Sequence, residues 1–236
     1  MGKGKWWIRF YGLLIAVTVA LAGFGRWTAA VIAEGSPLPR RHRIVVDPGH
    51  GGEDGGAVSC TGQLESGYNL AISLRLDDLL HLLGYDTTII RREDTSVYRK
   101  GETIAQRKAS DLKERVRIVG ETENALLLSI HQNQFPDGRY SGAQVFYADT
   151  PGSQDLARAL QGALVSTLNP GSSRKCKKSS GIYLMEHIRC PGVLIECGFL
   201  SNPAEEAKLR DPEYQKKLCC VIAATVSMSL TATEVS

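Results

Sequence analysis

Three ionisable side chains, His50, His131 and Glu196, each follow a short apolar run that is typical of a buried β-strand. The runs read IVVDPG, ALLLSI and GVLI, and they are rich in the aliphatic and β-branched residues that strands favour. Four glycines lie within six residues after His50, so few side chains are available to cover this histidine. Because the carboxyl ends of neighbouring parallel strands meet at one edge of a sheet, we expect the three residues to share a crevice.

Two neutral imidazoles and one carboxylate are a common ligand set for a catalytic zinc ion, with a fourth position left for water or substrate. His50 and His131 are the imidazoles that the pattern offers. The residues leave the carboxylate open among Glu53, Asp54 and Glu65. Glu65 lies near the start of a helical segment, where the helix dipole favours the ionised form that a metal ligand requires. The alternative for Glu65 is a charge at a helix terminus without a metal.

Glu196 is predicted to do a different kind of chemistry. It stands between the apolar letters VLI and CGF, and burial among such residues raises the pKa of a carboxyl group, whereas a nearby cation lowers it. A glutamate between these two effects can take a proton from an attacking water and pass it to a leaving nitrogen. The alternative is a buried glutamate paired with an arginine. The residues by themselves predict a metallohydrolase and no narrower activity.

Further polar residues near these segments are candidates to support the metal ligands or to contact substrate. They are Asp47, Asn133 and His187. Asn133 could donate a hydrogen bond to an oxyanion, although an asparagine at such a place more often closes a turn. His42, in a basic linker, and His81, on a helix, are typical of surface or internally hydrogen-bonded histidines.

Strand-type and helix-type segments alternate along the chain, and this pattern predicts an α/β sheet covered by helices on both faces. Ligands bind such sheets beyond the carboxyl ends of the strands. The predicted strands span residues 44–46, 86–91, 125–130, 142–148, 183–185 and 192–195, and the predicted helices span residues 64–83, 103–119, 153–168, 203–209 and 213–230.

The N-terminal segment has the features of an export signal. Three basic residues within the first nine precede a charge-free run, Phe10–Gly25, and small residues follow. This order predicts a signal peptide or an N-terminal membrane anchor over residues 1–35. A linker with two prolines is predicted over residues 36–42.

Composition narrows the classes of partner. The chain has 236 residues, of which 43% are hydrophobic, and a formal net charge of +3. That is enough for one sizeable core, and the mild charge gives no reason to expect nucleic-acid binding. Basic residues gather at residues 40–43 and 174–178. We expect solvated loops there, and weak attraction to an anionic polymer is the alternative.

The six cysteines include no CxxC pair, so a cysteine-based zinc site is not expected. The adjacent pair Cys219-Cys220 lies in an apolar, helix-like run and is predicted to be core. If the chain is exported, Cys60, Cys176 and Cys190 could form disulfides, but their connectivity does not follow from the sequence.

Taken in order, the motifs VVDPGHGGEDGGA, SIHQN and VLIECGFLSNP, with Glu65 between the first two, resemble the zinc-dependent N-acetylmuramoyl-L-alanine amidases of the amidase-3 family. The resemblance implies one zinc ion held by His50, Glu65 and His131, with Glu196 as the catalytic acid and base. It also implies a single-domain α/β fold, with a twisted mixed sheet of about six strands flanked by helices on both faces. We expect the catalytic domain to span residues 43–232.

The family resemblance implies hydrolysis of the amide between the lactyl group of N-acetylmuramic acid and L-alanine of the peptidoglycan stem peptide. The letters HQNQF are similar to the germination-specific, spore-cortex branch, which adds an expected role in muramic-lactam formation and germination. Peptidoglycan is the expected substrate and the expected location is extracytoplasmic, in the cell wall or spore cortex, with a membrane contact if the N-terminal segment is retained. A protein activator is left open. The alternatives are an inactive peptidoglycan- or partner-binding protein and a zinc peptidase that cuts within the stem peptide.

Overall fold

The computed structural model describes residues 42–234. The predicted signal peptide or anchor over residues 1–35 lies outside the described residues, as does the predicted linker except for His42. In the described part of the chain, no helix is long and apolar enough to cross a membrane.

Within residues 42–234, six strands form one mixed sheet in the order β2-β1-β3-β6-β4-β5. The first three strands and β6 run parallel to one another, whereas β4 is antiparallel to β6 and β5 is parallel to β4. The mixed, six-stranded sheet that the resemblance implied is therefore confirmed. The strands are β1 Arg43–Pro48, β2 Thr87–Ile89, β3 Ala125–Asn133, β4 Gln144–Tyr147, β5 Lys177–Lys178 and β6 Gly192–Phe199.

Helices connect the strands and close the chain, and local signals explain where several of them begin. Thr103 and Gln106 form a reciprocal capping box at the start of α2, and Asn202 caps α5 just before Pro203. The helices are α1 Glu65–Leu82, α2 Ile104–Glu121, α3 Ser153–Leu168, α4 Tyr183–His187, α5 Pro203–Arg210 and α6 Pro212–Glu234.

Two apolar layers cover the two faces of the sheet. Ile44 and Val46 of β1 belong to one buried cluster together with side chains of α1, α3 and α6, whereas Val45 belongs to the other, with side chains of α2 and α4. This alternation follows from the two-residue period of a strand. Each large aliphatic side chain buried in these layers stabilises the fold by about 1.5–3 kcal/mol. The prediction of helices on both faces is therefore confirmed.

The structure corrects several predicted elements. Residues 183–185 are not a strand: they open the short helix α4, in which Leu184 and Met185 are buried and the rings of Tyr183 and His187 stack. Side chains four residues apart are neighbours on a helix, whereas in a strand they share a face but lie about 13 Å apart, too far for two rings to stack. Strand β5 was missed because two lysines carry no apolar pattern.

The adjacent cysteines do not share one environment. Cys219 is buried, whereas Cys220 is exposed, so the prediction of a core pair is wrong for Cys220. Successive residues of an α-helix point about 100° apart, and an apolar run on an amphipathic helix therefore need not be buried throughout. All six cysteines lie within residues 42–234, and each is a free thiol there.

Candidate active site

The loop after β1 brings His50 close to His131 of β3. Their ring centroids lie 5.0 Å apart, with the ring planes at 75°. A Cβ atom added to Gly49 would lie 2.2 Å from the ring of His131, so only glycine allows this approach. At Gly56, φ is +70° and a Cβ would meet both Glu65 and His50. The glycines of the motif are therefore explained by close packing around the two imidazoles.

Three donor atoms converge at this point. His50 Nε2 lies 3.3 Å from Glu65 Oε2, and His131 Nδ1 lies 3.0 Å from Glu65 Oε1. One ligand atom from each of the three residues lies within 4.8 Å of the other two, a spacing at which a single ion can be shared. We call His50, Glu65 and His131 the ligand triad. Of the three carboxylates left open by the residues alone, the structure brings Glu65 to the imidazoles.

Glu65 is buried and held in place by N–H donors from three directions. The backbone N–H of Ala57 donates to Oε2 over 2.9 Å, while Asn69 Nδ2 and the backbone N–H of Gln132 each donate to Oε1 over 3.1 Å. Burial opposes ionisation, but the hydrogen bonds and charges of His131 and His50 lower the pKa of Glu65 well below its usual range. The carboxylate is thus ionised and fixed in orientation, as a metal ligand must be.

Asp54 contacts the triad through His50. Its Oδ2 lies 3.0 Å from His50 Nδ1, and its Oδ1 lies 2.7 Å from Lys108 Nζ. Burial tends to lower the pKa of His50, but hydrogen bonds to Asp54 and Glu65 outweigh burial and raise it to about 9. When a carboxylate accepts a hydrogen bond from one ring nitrogen of a histidine, the other ring nitrogen can coordinate a cation through its lone pair. Glu53, the third carboxylate considered, forms an ion pair with Arg107 instead.

Asp47, Arg91 and Arg115 hold the loop that carries His50 in place. Asp47 is 1% exposed, forms an ion pair with Arg115, and accepts a hydrogen bond from Ser129 Oγ over 2.6 Å. Burial works against its ionisation, but Arg115 and Ser129 lower its pKa overall. Arg115 Nη2 also donates to the carbonyl of His50 over 2.6 Å, and Arg91 donates to the carbonyls of residues 48 and 49. Asp47 therefore supports the loop through Arg115 and Ser129.

Glu196 lies beside the triad on the neighbouring strand, where its Cα is the register partner of His131. Its Oε2 is buried and has no hydrogen-bond partner among the described residues. Burial raises the pKa of Glu196 to about 7; the charge of Glu65 adds to this effect, and His131 and His50 oppose it. Across residues 42–234 no arginine pairs with Glu196, which removes the alternative of a structural ion pair.

Both His131 and Glu196 lie within their strands rather than after them, because the pairing of β3 with β6 continues to Asn133 and Phe199 through an irregular register. Asn133 accepts a hydrogen bond from the backbone N–H of Leu200 through its own carbonyl, over 2.8 Å. Its side-chain role stays a prediction. His187 stacks on Tyr183 and its Nδ1 lies 2.8 Å from the carbonyl of that residue, so the described contacts of His187 are within its own helix.

The sequence did not reveal the residues that hold the triad in place. Asn69, Arg115 and Gln132 are polar residues of the kind found in any helix or strand, so no local pattern singles them out. Their roles depend on contacts with residues far away in the sequence. Asp54 was considered only as a ligand. Its position four residues after His50, within a glycine-rich loop, was the one local signal of a supporting contact.

Two imidazoles and a fixed carboxylate around one point, with a second carboxylate of raised pKa beside them, are typical of hydrolases that use a metal ion. The family comparison agrees with this class. Residues 44–227 match the model of the N-acetylmuramoyl-L-alanine amidase family, and the chain belongs to that family.

Individual relatives support the same assignment. The chain is 40% identical over 188 residues to the germination-specific N-acetylmuramoyl-L-alanine amidase of Bacillus subtilis (strain 168), a match that covers 78% of each chain. It is similar to the structure of the CwlD amidase from Clostridioides difficile in complex with the GerS lipoprotein, with a TM-score of 0.78 and 35% identity over 81% of this chain and 100% of that one. An N-acetylmuramoyl-L-alanine amidase from Clostridium difficile 630 matches with a TM-score of 0.70 and 29% identity, over 80% and 97% of the two chains. The family resemblance seen in the motifs is thus confirmed.

Proposed function

We propose that this protein is a zinc-dependent amidase that cleaves the bond between the lactyl group of N-acetylmuramic acid and L-alanine of the stem peptide. The observation that carries the proposal is the convergence of the ligand triad within 4.8 Å, next to a glutamate whose buried Oε2 has no hydrogen-bond partner within residues 42–234. Membership of the amidase family supplies the substrate class.

Zinc fits the donor set, because two imidazole nitrogens and one ionised carboxylate match its preferred ligands. His50, Glu65 and His131 would hold the ion, which would act as a Lewis acid that polarises the scissile carbonyl and acidifies the attacking water. Glu65 keeps its charge because fixed N–H donors and two imidazoles favour the ionised form. Asp54 forms a hydrogen bond with Nδ1 of His50 and so orients Nε2 of His50 towards Glu65.

Glu196 moves the proton in the proposed reaction. Its ionised Oε2 accepts a proton from the water as the water oxygen attacks the lactyl carbonyl carbon. The same oxygen then donates that proton to the amide nitrogen as the C–N bond breaks, which releases the amine of L-alanine and leaves the lactyl carboxylic acid, whose remaining proton passes to water. Burial raises the pKa of Glu196 and a bound cation would lower it, and between these effects one carboxyl group can serve first as base and then as acid.

Product analysis by mass spectrometry tests this proposal. Purified protein with added zinc is incubated with defined disaccharide peptides, and we expect intact stem peptides that begin with L-alanine together with disaccharides that carry a free lactyl carboxylate. Fragments cut within the stem peptide would instead show a peptidase. An absence of any product would indicate an inactive binding protein.

We further propose an extracytoplasmic site of action in the spore cortex, with a lipoprotein partner. The support is the 40% identical relative that is named for germination and the structural relative that was solved with the GerS lipoprotein. If the proposal is right, removal of the gene from a spore-forming host will give a cortex without muramic lactam. An unchanged lactam content would contradict the spore role and leave the amidase activity untouched.

A further inference from the structure

A groove with three cationic side chains lies at the edge of the sheet where β4 and β5 begin. Its lining includes Tyr140, Arg174, Arg139 and Lys208, and the guanidinium of Arg174 lies over the buried ring of Phe199; we call it the Arg174 groove. The cavity has a volume of about 890 Å³ and its lining is mainly polar. Nothing in the amidase chemistry described above uses this groove, although Arg174 belongs to a basic cluster that we expected to be a solvated loop.

The sheet places the groove at the same edge as Glu196. Strand β4 is antiparallel to β6, with Gln144 as the register partner of Glu196, so the residues just before β4 lie beyond the carboxyl end of β6. Strand β5 is parallel to β4, and Arg174, three residues before β5, therefore reaches the same edge. Phe199, on which Arg174 stacks, lies three residues after Glu196 on β6, with one irregularity of register between them.

Arg174 is arranged to bind an anion. Its guanidinium carbon lies 4.8 Å from the centroid of the Phe199 ring, and its Nε donates to the carbonyl of Ser141 over 3.0 Å. These contacts fix the plane of the group and use one of its three nitrogens. In the described part of the chain no carboxylate pairs with Arg174, and neither of its two terminal nitrogens donates a hydrogen bond to an acceptor there. A fixed fork of this kind suits a carboxylate, which it can bind through two parallel hydrogen bonds.

The other charges of the groove are already engaged. Arg139 pairs with Asp137 over 2.7 Å. Lys208 lies 3.7 Å from Glu205, and that glutamate accepts a hydrogen bond from the backbone N–H of Gly142 over 2.7 Å. Arg174 is therefore the guanidinium of the groove that is left for a ligand.

We propose that Arg174 binds the α-carboxylate of the glutamate at the second position of the stem peptide; this inference rests on the proposed amidase function. In peptidoglycan this glutamate is joined onward through its side-chain carboxyl, so its α-carboxylate is the first negative charge beyond the scissile amide. One residue spans about 3.3–3.6 Å, which places that carboxylate roughly 7 Å from the scissile nitrogen. The guanidinium of Arg174 lies over Phe199, which follows Glu196 by three residues on β6, so the proposed anion site and the proposed proton carrier belong to the same strand end.

The chemistry of the groove then predicts substrate selection. A carboxylate would form charge-assisted hydrogen bonds with Arg174, whereas a carboxamide at the same position would offer one neutral acceptor and place an NH₂ group against a cation. The enzyme should therefore prefer stem peptides with glutamate over those with isoglutamine at position two. The partly exposed rings of Phe135 and Tyr140, 47% and 45% exposed, offer apolar contact to the peptide on the same side.

Isothermal titration with two synthetic peptides tests the inference without catalysis. L-alanyl-γ-D-glutamyl-lysinamide and L-alanyl-D-isoglutaminyl-lysinamide differ only in the group proposed to contact Arg174. We expect the full-length protein to bind the first peptide at least about 10-fold more tightly, the range of a charge-assisted hydrogen bond. Arg174→Met should remove this preference, and Arg174→Lys should retain part of it. Arg158→Met is the matched control, because Arg158 is exposed on α3 and pairs with Asp155.

Three results would overturn the inference: equal binding of the two peptides by the unaltered protein, an unchanged preference in Arg174→Met, or a parallel loss of affinity for both peptides. The last would assign Arg174 to packing on Phe199. Methionine can retain contact with the ring, so Arg174→Met should keep the fold, and Arg174→Lys provides a second variant if it does not. If peptide selection is found but no muropeptide is hydrolysed, the failure lies in the proposed amidase activity and not in the anion site.

Discussion

The two carboxylates of the site have opposite surroundings. Glu65 receives three N–H donors and lies against both imidazoles, so each of its oxygens has fixed partners. Glu196, one strand further along the sheet from His131, has a buried Oε2 without any partner among the described residues. The pKa of Glu65 is held well below its usual range, whereas that of Glu196 is raised to about 7.

We infer from this difference that Glu65, at the start of α1, and Glu196, on β6, have different tasks. A metal ligand benefits from hydrogen bonds that keep it ionised and oriented. A proton carrier needs an oxygen that is free to exchange its proton and a pKa near the working pH. The environment, and not the residue type, sets each role.

The largest expected effect is the loss of a ligand. His131→Ala leaves His50 and Glu65 as the remaining protein donors, and we expect zinc bound per chain to fall from about one to near zero after dialysis, because a stable catalytic site needs three. Elemental analysis measures this. His187→Ala is the control, since that histidine contacts its own helix. Full zinc content in His131→Ala would show that the ion is held elsewhere.

A substitution that displaces the ring of His131 should have the next largest effect on zinc binding. In Gly49→Ala the added Cβ would lie 2.2 Å from the His131 ring, so the imidazole must shift. We expect zinc affinity to fall about 100-fold, the upper range for disturbed support of a metal ligand. Gly67→Ala on α1 is the matched control, because a Cβ there meets nothing within 4 Å. Equal zinc affinity in the two variants would contradict the close approach.

Removing the charge of Asp54 beside His50 should have a smaller effect on zinc affinity. Asp54→Asn keeps the shape of the side chain but removes the charge that lies 3.0 Å from His50 Nδ1. We expect a loss of zinc affinity of about 10-fold, measured by competition with a chelator. Glu53→Gln changes a neighbouring charge that pairs with Arg107 and should bind zinc normally. If both variants bound zinc like the unaltered protein, Asp54 would have no part in positioning His50.

The smallest expected effect is on stability. Because folding raises the pKa of Glu196 from 4.5 to about 7, the protonated form is favoured. The stability given by protonation is present below about pH 4.5 and is lost as the pH rises through about 7. In zinc-free protein, Glu196→Gln should therefore increase the free energy of unfolding at about pH 8 by on the order of 1–3 kcal/mol, with little change at about pH 4. Urea denaturation at the two pH values measures the difference; an equal effect at both would contradict the raised pKa.

How far the sequence predicts this molecule depends on how local each signal is. The apolar runs of β1, β3 and β6 predict buried strands, and the sequence PGHGG marks the loop that carries His50, so most elements and the two histidines of the triad were predicted from the residues alone. The two-lysine strand β5 was not predicted, because two lysines show no strand pattern and the pairing of β5 with β4 depends on tertiary structure. The family resemblance selected Glu65 among three carboxylates. The contacts from Asn69 and Arg115 depend on tertiary packing that no local pattern encodes.

We infer that holding the ion and moving the proton are separate tasks of separate residues. Glu196→Gln tests it most directly, when zinc content and release of stem peptide from muropeptides are measured on the same sample. We expect zinc at about one per chain and a rate lowered by about 10²–10⁴-fold, the contribution of a general acid–base group. A variant that hydrolyses at a near-normal rate, or that loses its zinc along with its activity, would contradict the account.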